Sequence, residues 1–256
     1  MTDVATPRYR ARQADGAEDI RAAQSLRYAC FIAGGEAKVS ALRQGGLDID
    51  PHDTVCRHIL IEETASGLLV GCFRLMTLTG GSEIERSYSA QFYGLGALAT
   101  YRGPMLEMGR FCIAPGHSHP DVLRVAWAAL VRIVDETGAE LLFGCSSFQG
   151  CEADGYLDAF ALLAEKHLAP HRWRPGRKAP SVFRFAERLR PQRADAKKAI
   201  LCMPPLLRSY LTMGGWVSDH AVVDRDLGTL HVFTGLEIAN VPPARARSLR
   251  HLAGIA

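Results

Sequence analysis

The chain has 256 residues, 48% of them hydrophobic and 22% charged, enough to bury one large core and too apolar for wholesale disorder. A formal net charge of +3 demands no particular class of partner, but the charge is uneven. From 171 to 198 ten bases face two acids, about +8, which leaves about −5 for the remainder.

Residues 1–7 read as a tail. Alternation over Tyr9–Gln13 predicts a short strand, and Asp15–Gly16 turns it into a helix carrying Ile20, Ala23, Leu26, Arg27 and Cys30 at helical spacing. A second short helix is expected over Glu36–Arg43, whereas GGLDIDPHD at 45–53 is turn-rich and predicts no regular element. Arg57–Glu62 and Leu68–Thr77, joined at Ala65–Ser66–Gly67, predict an antiparallel hairpin. The aromatic-dotted stretch Tyr88–Ala99 is expected to be helical. Met105–Ala114 is a strand ended by Pro115–Gly116, Pro120–Thr137 a helix with Leu123, Ala126 or Trp127, Leu130 and Val134 on one stripe, and Glu140–Phe148 a further strand. That β–α–β order implies a parallel pair if the strands are neighbours. Tyr156–His167 follows as a short helix. The basic segment 169–198, punctuated by Pro170, Pro175, Pro180 and Pro191, is expected to be mostly extended loop. A proline-opened helix at Pro204–Met213 and strands at Trp216–Val223 and Thr229–Thr234 complete a C-terminal unit at 203–238. The sum is one α/β (α+β) domain over residues 1–256, built on a single mixed sheet.

The chemistry concentrates in MLEMGRFCIA at 105–114. Glu107 and Arg110 are ionisable groups in a strand otherwise built for burial, and such groups are either paired or functional. Two readings stay open: a general base at Glu107 with Arg110 on an anion, or a buried structural ion pair. Strand periodicity puts Glu107 and Gly109 on one face, Met108 and Arg110 on the other. Asp48, Asp50 and Asp53 lack the glycine and glutamate of a calcium loop; they suit an ammonium group or a solvated turn. Arg27 in an apolar helix stripe and Arg74 within VGCFRLM suit a carboxylate, or snorkel to the surface. CSSFQGC at 145–151 has no GxSxG elbow and reads as a polar strand end lining a cleft. His117 and His119 lack further ligands at metal spacing, so no metal is expected, and no P-loop or GxGxxG occurs.

Seven cysteines, Cys30, Cys56, Cys72, Cys112, Cys145, Cys151 and Cys202, are scattered without CxxC spacing, as free thiols of a reducing compartment would be. No basic-then-apolar leader follows Met1, and no apolar run approaches the roughly 20 residues needed to cross a bilayer. A cytoplasmic protein is expected.

Six strings in order resemble one family: SLRYACF (25–31), LDIDPHD (47–53), CRHILI (56–61), VGCFRLM (70–76), EMGRFCIAP (107–115) and LLFGCSSFQG (141–150). They look like the bacterial acyl-carrier-protein-dependent amino acid N-acyltransferases that begin ornithine lipid synthesis, relatives of the acyl-homoserine-lactone synthases in the GNAT superfamily. MPPLLRSYLTMGG (203–215) and DRDLGTLHVF (224–233) resemble the lipid-synthesis branch, so the likeness spans nearly the whole chain. It implies a GNAT fold, with a mostly antiparallel sheet, a splayed central parallel pair and helices on both faces. It also implies transfer of a (3-hydroxy)fatty acyl group from acyl carrier protein to the α-amine of ornithine.

The implied site comprises Glu107 and Arg110 as catalytic groups and Arg27, Asp48, Asp50, Asp53 and Arg74 as substrate-binding groups. The implied acyl and pantetheine cleft takes in Met108, Gly109, Phe111, Cys112, Ser146, Ser147 and Phe148. The GNAT pyrophosphate pattern Q/R-x-x-G-x-G/A is absent after Pro115, which fits the phosphopantetheine arm of a carrier protein better than free coenzyme A. No tightly bound cofactor is implied. Arg172, Arg174, Arg177 and Lys178 are candidates for docking the acidic carrier or, peripherally, an anionic membrane; nucleic acid is not expected. His231 stands where the family commonly has an aspartate, and Arg57 precedes His58 where an acid is common. The alternatives are another acceptor (glutamine, lysine or a homoserine lactone product) and, in a different class, a non-catalytic basic module on membrane or nucleic acid.

Overall fold

A computed structural model describes residues 7–33, 45–117, 119–189 and 193–255. Strand β1 (Tyr9–Gln13) and helix α1 (Ala17–Phe31) form where expected; the helix anticipated over 36–43 lies outside the described residues. Strands β2 (Arg57–Glu63) and β3 (Leu69–Leu78) make the anticipated hairpin. After the two-residue β4 (Tyr93–Gly94) come strand β5 (Met105–Ile113), helix α2 (Pro120–Thr137) and strand β6 (Leu141–Gln149). Helix α3 (Leu157–Lys166), two-residue strands β7 (Gly176–Arg177) and β8 (Val182–Phe183), and helices α4 (Phe185–Arg188), α5 (Ala196–Cys202) and α6 (Pro205–Thr212) follow. The chain closes with β9 (Trp216–Val217), β10 (Ala221–Asp224), β11 (Thr229–Glu237) and helix α7 (Pro243–Leu252).

One sheet runs β1-β2-β3-β5-β6-β11-β10-β8, with β9 on β11. Among the described strands of this sheet β5 and β6 alone pair in parallel, and α2 connects them, as the β–α–β order implied. Helix α2 is opened by Pro120 and closed by Gly138 in the left-handed conformation (φ 62), and lays Val122, Ala126, Leu130 and Val134 on the sheet. It shares one face with Leu106, Met108 and Tyr210 of α6, and α3 covers Phe148, Leu230 and Val232 further along that face. The opposite face receives α1 at Leu60 and Cys72, and the 81–101 segment at Met105, Phe143 and Phe233. Helices therefore lie on both faces, and the structure has the mixed, mostly antiparallel sheet that the resemblance implied.

Several expectations are corrected. Residues 88–99 are not helical: 3-10 turns at Ser89–Gln91 and Gly96–Thr100 flank β4, because the apolar groups buried there (Ala90, Tyr93, Leu95, Leu98) follow no helical period and Gly94 abuts Gly176 of β7. The basic segment is interrupted by two-residue strands and short helices, which bury Phe185 and Ala186, while the rest of its described residues are irregular as expected. The strand expected over 216–223 breaks at Ser218, whose hydroxyl donates to the His220 carbonyl and accepts from the Phe233 N–H. Helix α7, unanticipated because its sequence is polar, is tied to α2 through Arg250–Asp135 and Arg132 to the Ala253 carbonyl. Among the described residues no helix is long and apolar enough to cross a membrane.

The decisive feature is where β5 and β6 part. Their ladder ends at Met108/Gly144; beyond it β5 follows β3 to Ile113 while β6 follows β11 to Gln149. On the β3 side, Cys72 faces Cys112 but Arg74 faces Gly109, so two residues, Arg110 and Phe111, oppose Phe73 alone. This is a β-bulge, and Arg110 is its left-handed residue (φ 54). The bulge bends β5 away from β6 and opens the sheet. At the last paired position the backbones are tight: a Cβ on Gly144 would lie 2.2 Å from the Met108 carbonyl oxygen. Gly144→Ala is therefore expected to lower stability by about 1–3 kcal/mol through overpacking. Equilibrium denaturant unfolding measures this, and an unchanged midpoint would contradict the close approach.

Candidate active site

Three arginines and three aspartates converge under the split. Arg27, 1% exposed, reaches Asp48 from Nε at 3.0 Å and Asp53 from Nη1 and Nη2 at 2.8 Å each, and also bonds the Asp48 carbonyl. Arg74 meets Asp53 at 2.7 Å and Asp50 at 3.0 Å. Arg110 closes the ring on Asp48 at 3.0 Å and Asp50 at 2.8 Å. Each guanidinium bridges two carboxylates and each carboxylate two guanidiniums, so the ring is neutral by formal charge. Periodicity had put Arg110 on the face opposite Glu107. The bulge reverses this, since its extra residue shifts the alternation by one and turns Arg110 toward Arg74. Nor is 45–53 without regular structure: Asp50 caps a 3-10 turn at Pro51–Thr54, with Asp53 returning a bond to the Asp50 N–H. Burial pushes the Asp50 carboxyl up, but Arg110 and Arg74 outweigh it and hold the group at about 2; Arg27 and Arg74 depress Asp53 in the same sense.

Glu107 shares this face but not the ring. Its Oε1 accepts from Ser89 N–H (2.8 Å) and Ser89 Oγ (2.6 Å), and its Oε2 from Tyr88 N–H (2.8 Å). Three of about four acceptor sites are thus used. Burial raises its pKa against the pull of these donors and of Arg74. Ser89 Oγ also lies 3.5 Å from Cys145 Sγ, and the Tyr88 ring stacks 4.8 Å from the Arg110 guanidinium carbon.

The open seam forms a cleft of about 660 Å³. Met108, Gly109, Phe111, Cys112, Ser146, Ser147 and Phe148 all line it, together with Arg110. Glu107, Arg27, Arg74 and the three ring aspartates do not; Glu107 stands one side chain behind the wall at Cys145. Register sorts the lining into two flanks. Met108, Ser146 and Phe148 project toward α2 and α6, where Leu123, Leu206 and Tyr210 make an apolar flank. Cys145, Ser147, Thr229 and His231 project to the other side with Tyr88, Arg110 and Asp224. Sequence reasoning missed Tyr88, Tyr210, Asp224 and His231 as site residues; Asp224, an acid at the end of an apolar strand, was the available signal. The basic residues lie elsewhere: Arg172 pairs with Glu237, Arg174 with the Ala169 carbonyl, Arg177 with Glu187, and Lys178 with the Ala90 carbonyl.

Residues 26–128 match the acetyltransferase (GNAT) domain family. An L-ornithine N(alpha)-acyltransferase of Rhodobacter capsulatus is 33% identical over 88% of this chain and 88% of its own length. That of Rhizobium meliloti is 29% identical over 90% of this chain and 80% of its own. Among solved structures, the CoA-dependent acyl-homoserine lactone synthase BjaI, with SAM and isopentyl-CoA, superposes with a TM-score of 0.50 at 12% identity, covering 96% of this chain and 89% of that one; the fold is shared. A GNAT-class acyltransferase is the class these features define. The chain belongs to the L-ornithine N(alpha)-acyltransferase family.

Two outcomes follow from the ring. Arg27→Met leaves two buried carboxylates short of a partner and is expected to cost about 3–5 kcal/mol in denaturant unfolding. For Asp50 the folded pKa lies below the unfolded one, so its stabilisation is present above about pH 4 and lost as pH falls toward 2, on the order of 2 kcal/mol. Unfolding midpoints at pH 6, 4 and 3 should fall in that order; a flat series would contradict the ring's electrostatics.

Proposed function

We propose that this enzyme transfers a fatty acyl group, as the 3-hydroxyacyl thioester of acyl carrier protein, to the α-amine of ornithine. The split β5/β6 seam carries this reading. It presents unpaired strand edge and an apolar flank to a thioester chain, and a polar flank to an amine, on opposite sides of one sheet opening. The acyl and pantetheine chains lie along the flank of Met108, Phe148 and Leu206. The thioester carbonyl sits against β5 beyond Met108, where backbone N–H groups of Gly109–Phe111 stabilise the oxyanion. The amine attacks, the C–N bond forms and the C–S bond breaks. Glu107, raised by burial and with one acceptor site left, takes the amine's proton through a bridging water, and the proton leaves with the carrier thiol.

Arg110 holds the acceptor's carboxylate at the polar flank. Arg27, Arg74, Asp48, Asp50 and Asp53 fix Arg110 and Tyr88 there. The missing pyrophosphate pattern after Pro115 supports a carrier-borne donor. The surplus positive charge of 171–198, including Arg172, Arg174, Arg177 and Lys178, supports docking of an acidic carrier steered at long range, with anionic lipid as a second surface. A cytoplasmic location with peripheral membrane contact fits an amphipathic product.

Thiol release from 3-hydroxyacyl carrier protein and from the matching CoA thioester, each with ornithine, glutamine or lysine, tests the reading. Ornithine with the carrier-borne donor should be fastest; faster release with glutamine or lysine would reassign the acceptor. Glu107→Gln should lower kcat by about 100-fold or more with the donor KM unchanged. Near-normal kcat would remove Glu107 from the proton path.

A further inference from the structure

The proposed acceptor carries two amines, and the three aspartates that suited an ammonium in the sequence are each spent on arginines. Among the described residues the one acid lining the cleft is Asp224, 6% exposed. Its Oδ1 accepts from the N–H groups of Asp226 (2.9 Å) and Leu227 (3.0 Å), and among the described residues no arginine, lysine or histidine forms an ion pair with it. A buried carboxylate without a cation is costly, and that cost is relieved when a cation binds.

His231 stands beside it. Asp224 pairs directly with Thr229, and His231 is two residues along the same strand, so both side chains project from one face as diagonal neighbours. Such neighbours are about 7–8 Å apart at the backbone, room for one ammonium between their tips. The protonation of His231 follows from its partner. Tyr93 has a single hydroxyl proton and donates it to the His231 carbonyl at 2.7 Å, so toward Nδ1, at 3.2 Å, it can only accept. Nδ1 therefore carries the hydrogen and Nε2 a lone pair. That Nε2 is buried and has no partner, although the ring lines the cleft. Burial, with His220 and Arg110 nearby, holds the imidazole at about 3, so it stays neutral and does not repel a cation.

We propose that the Asp224 carboxylate and the His231 Nε2 form the subsite for the acceptor's side-chain ammonium, and so select a diamino acid over a neutral one. The proposal rests on the reading of this cleft as an ornithine acyltransferase site. Together the two groups offer a countercharge and a second acceptor, and they lie on the polar flank across the seam from Arg110.

The test uses the full chain, an acyl carrier protein thioester, and ornithine against norvaline, which has the same carbon chain without the terminal amine; norvaline is scored as substrate or as competing inhibitor. Wild-type protein should favour ornithine. Asp224→Asn, which keeps an oxygen for the two turn N–H groups, should raise the ornithine KM about 10- to 100-fold and leave the donor KM and the norvaline constant unchanged. His231→Phe should act in the same direction, and His231→Gln, which restores an acceptor, should recover part of the loss. Should Asp224→Asn fail to fold, the two His231 variants decide. Equal response of ornithine and norvaline, or an unchanged ornithine KM, overturns the subsite and assigns Nε2 to a buried water. Failure of the wild-type protein to acylate ornithine from either the carrier-borne or the CoA thioester overturns the reading of the activity itself, and the subsite with it.

Discussion

Arg110 occupies a backbone conformation that costs an L-residue about 1–2 kcal/mol, and two buried carboxylates hold it there. Without those ion pairs nothing in the local sequence favours a left-handed arginine in mid-strand. The sheet's opening depends on it, because the bulge at this residue bends β5 off the line that β6 follows. The acids that pin it come from the turn before β2, and Arg27 of α1 and Arg74 of β3 hold that turn in place. The first third of the chain thus acts as a clamp on a bend in the central strand. The same bend turns the Arg110 side chain across the sheet, so one irregularity both opens the cleft and supplies the cation on its wall.

A neutral ring of six buried charges is a structural device first. Its attraction is consumed internally, and exchanging any one member for a neutral group unbalances two partners at once. That limits what the ring can do for a ligand. A carboxylate already accepting from two guanidiniums has little left to offer an ammonium, whereas Arg110, at the cleft wall and against the Tyr88 ring, keeps a face toward the opening. An ammonium of the acceptor must therefore be met by an acid outside the ring, and the polar flank is where such a residue lies.

Much of this was legible in the sequence where a period or a cap exists. The apolar stripe and terminal Pro120 and Gly138 gave α2 its bounds, alternation gave β1, and turn residues gave the hairpin. Two charges in an otherwise apolar strand marked Glu107 and Arg110. Their relation to each other was not legible, since strict alternation assigns opposite faces and only the bulge, which depends on partners 60 and 62 residues away, brings them to one. The 3-10 turns at 88–99 and the two-residue strands of 169–198 have no period to read. Asp224 and His231 sit at ordinary strand positions, and only the termination of the parallel ladder, a tertiary fact, turns those positions into a cleft wall.

In the proposed reaction, Glu107 and His231 divide the work for electrostatic reasons. His231 is desolvated and lies within reach of Arg110, so an added proton would be a second buried positive charge with no countercharge of its own beyond Asp224. It can accept a hydrogen bond but cannot keep a proton near neutral pH. Glu107 is desolvated as well, yet for a carboxylate burial acts in the opposite sense and favours taking a proton up. The same loss of water thus makes one group a fixed acceptor and the other a proton sink. A cleft that must steady a cationic side chain while removing a proton from an amine needs both, and needs them apart. The Ser89–Cys145 contact stands between Glu107 and the open cleft, so that in the proposed reaction the proton would cross through water while the substrate's charge is held outside.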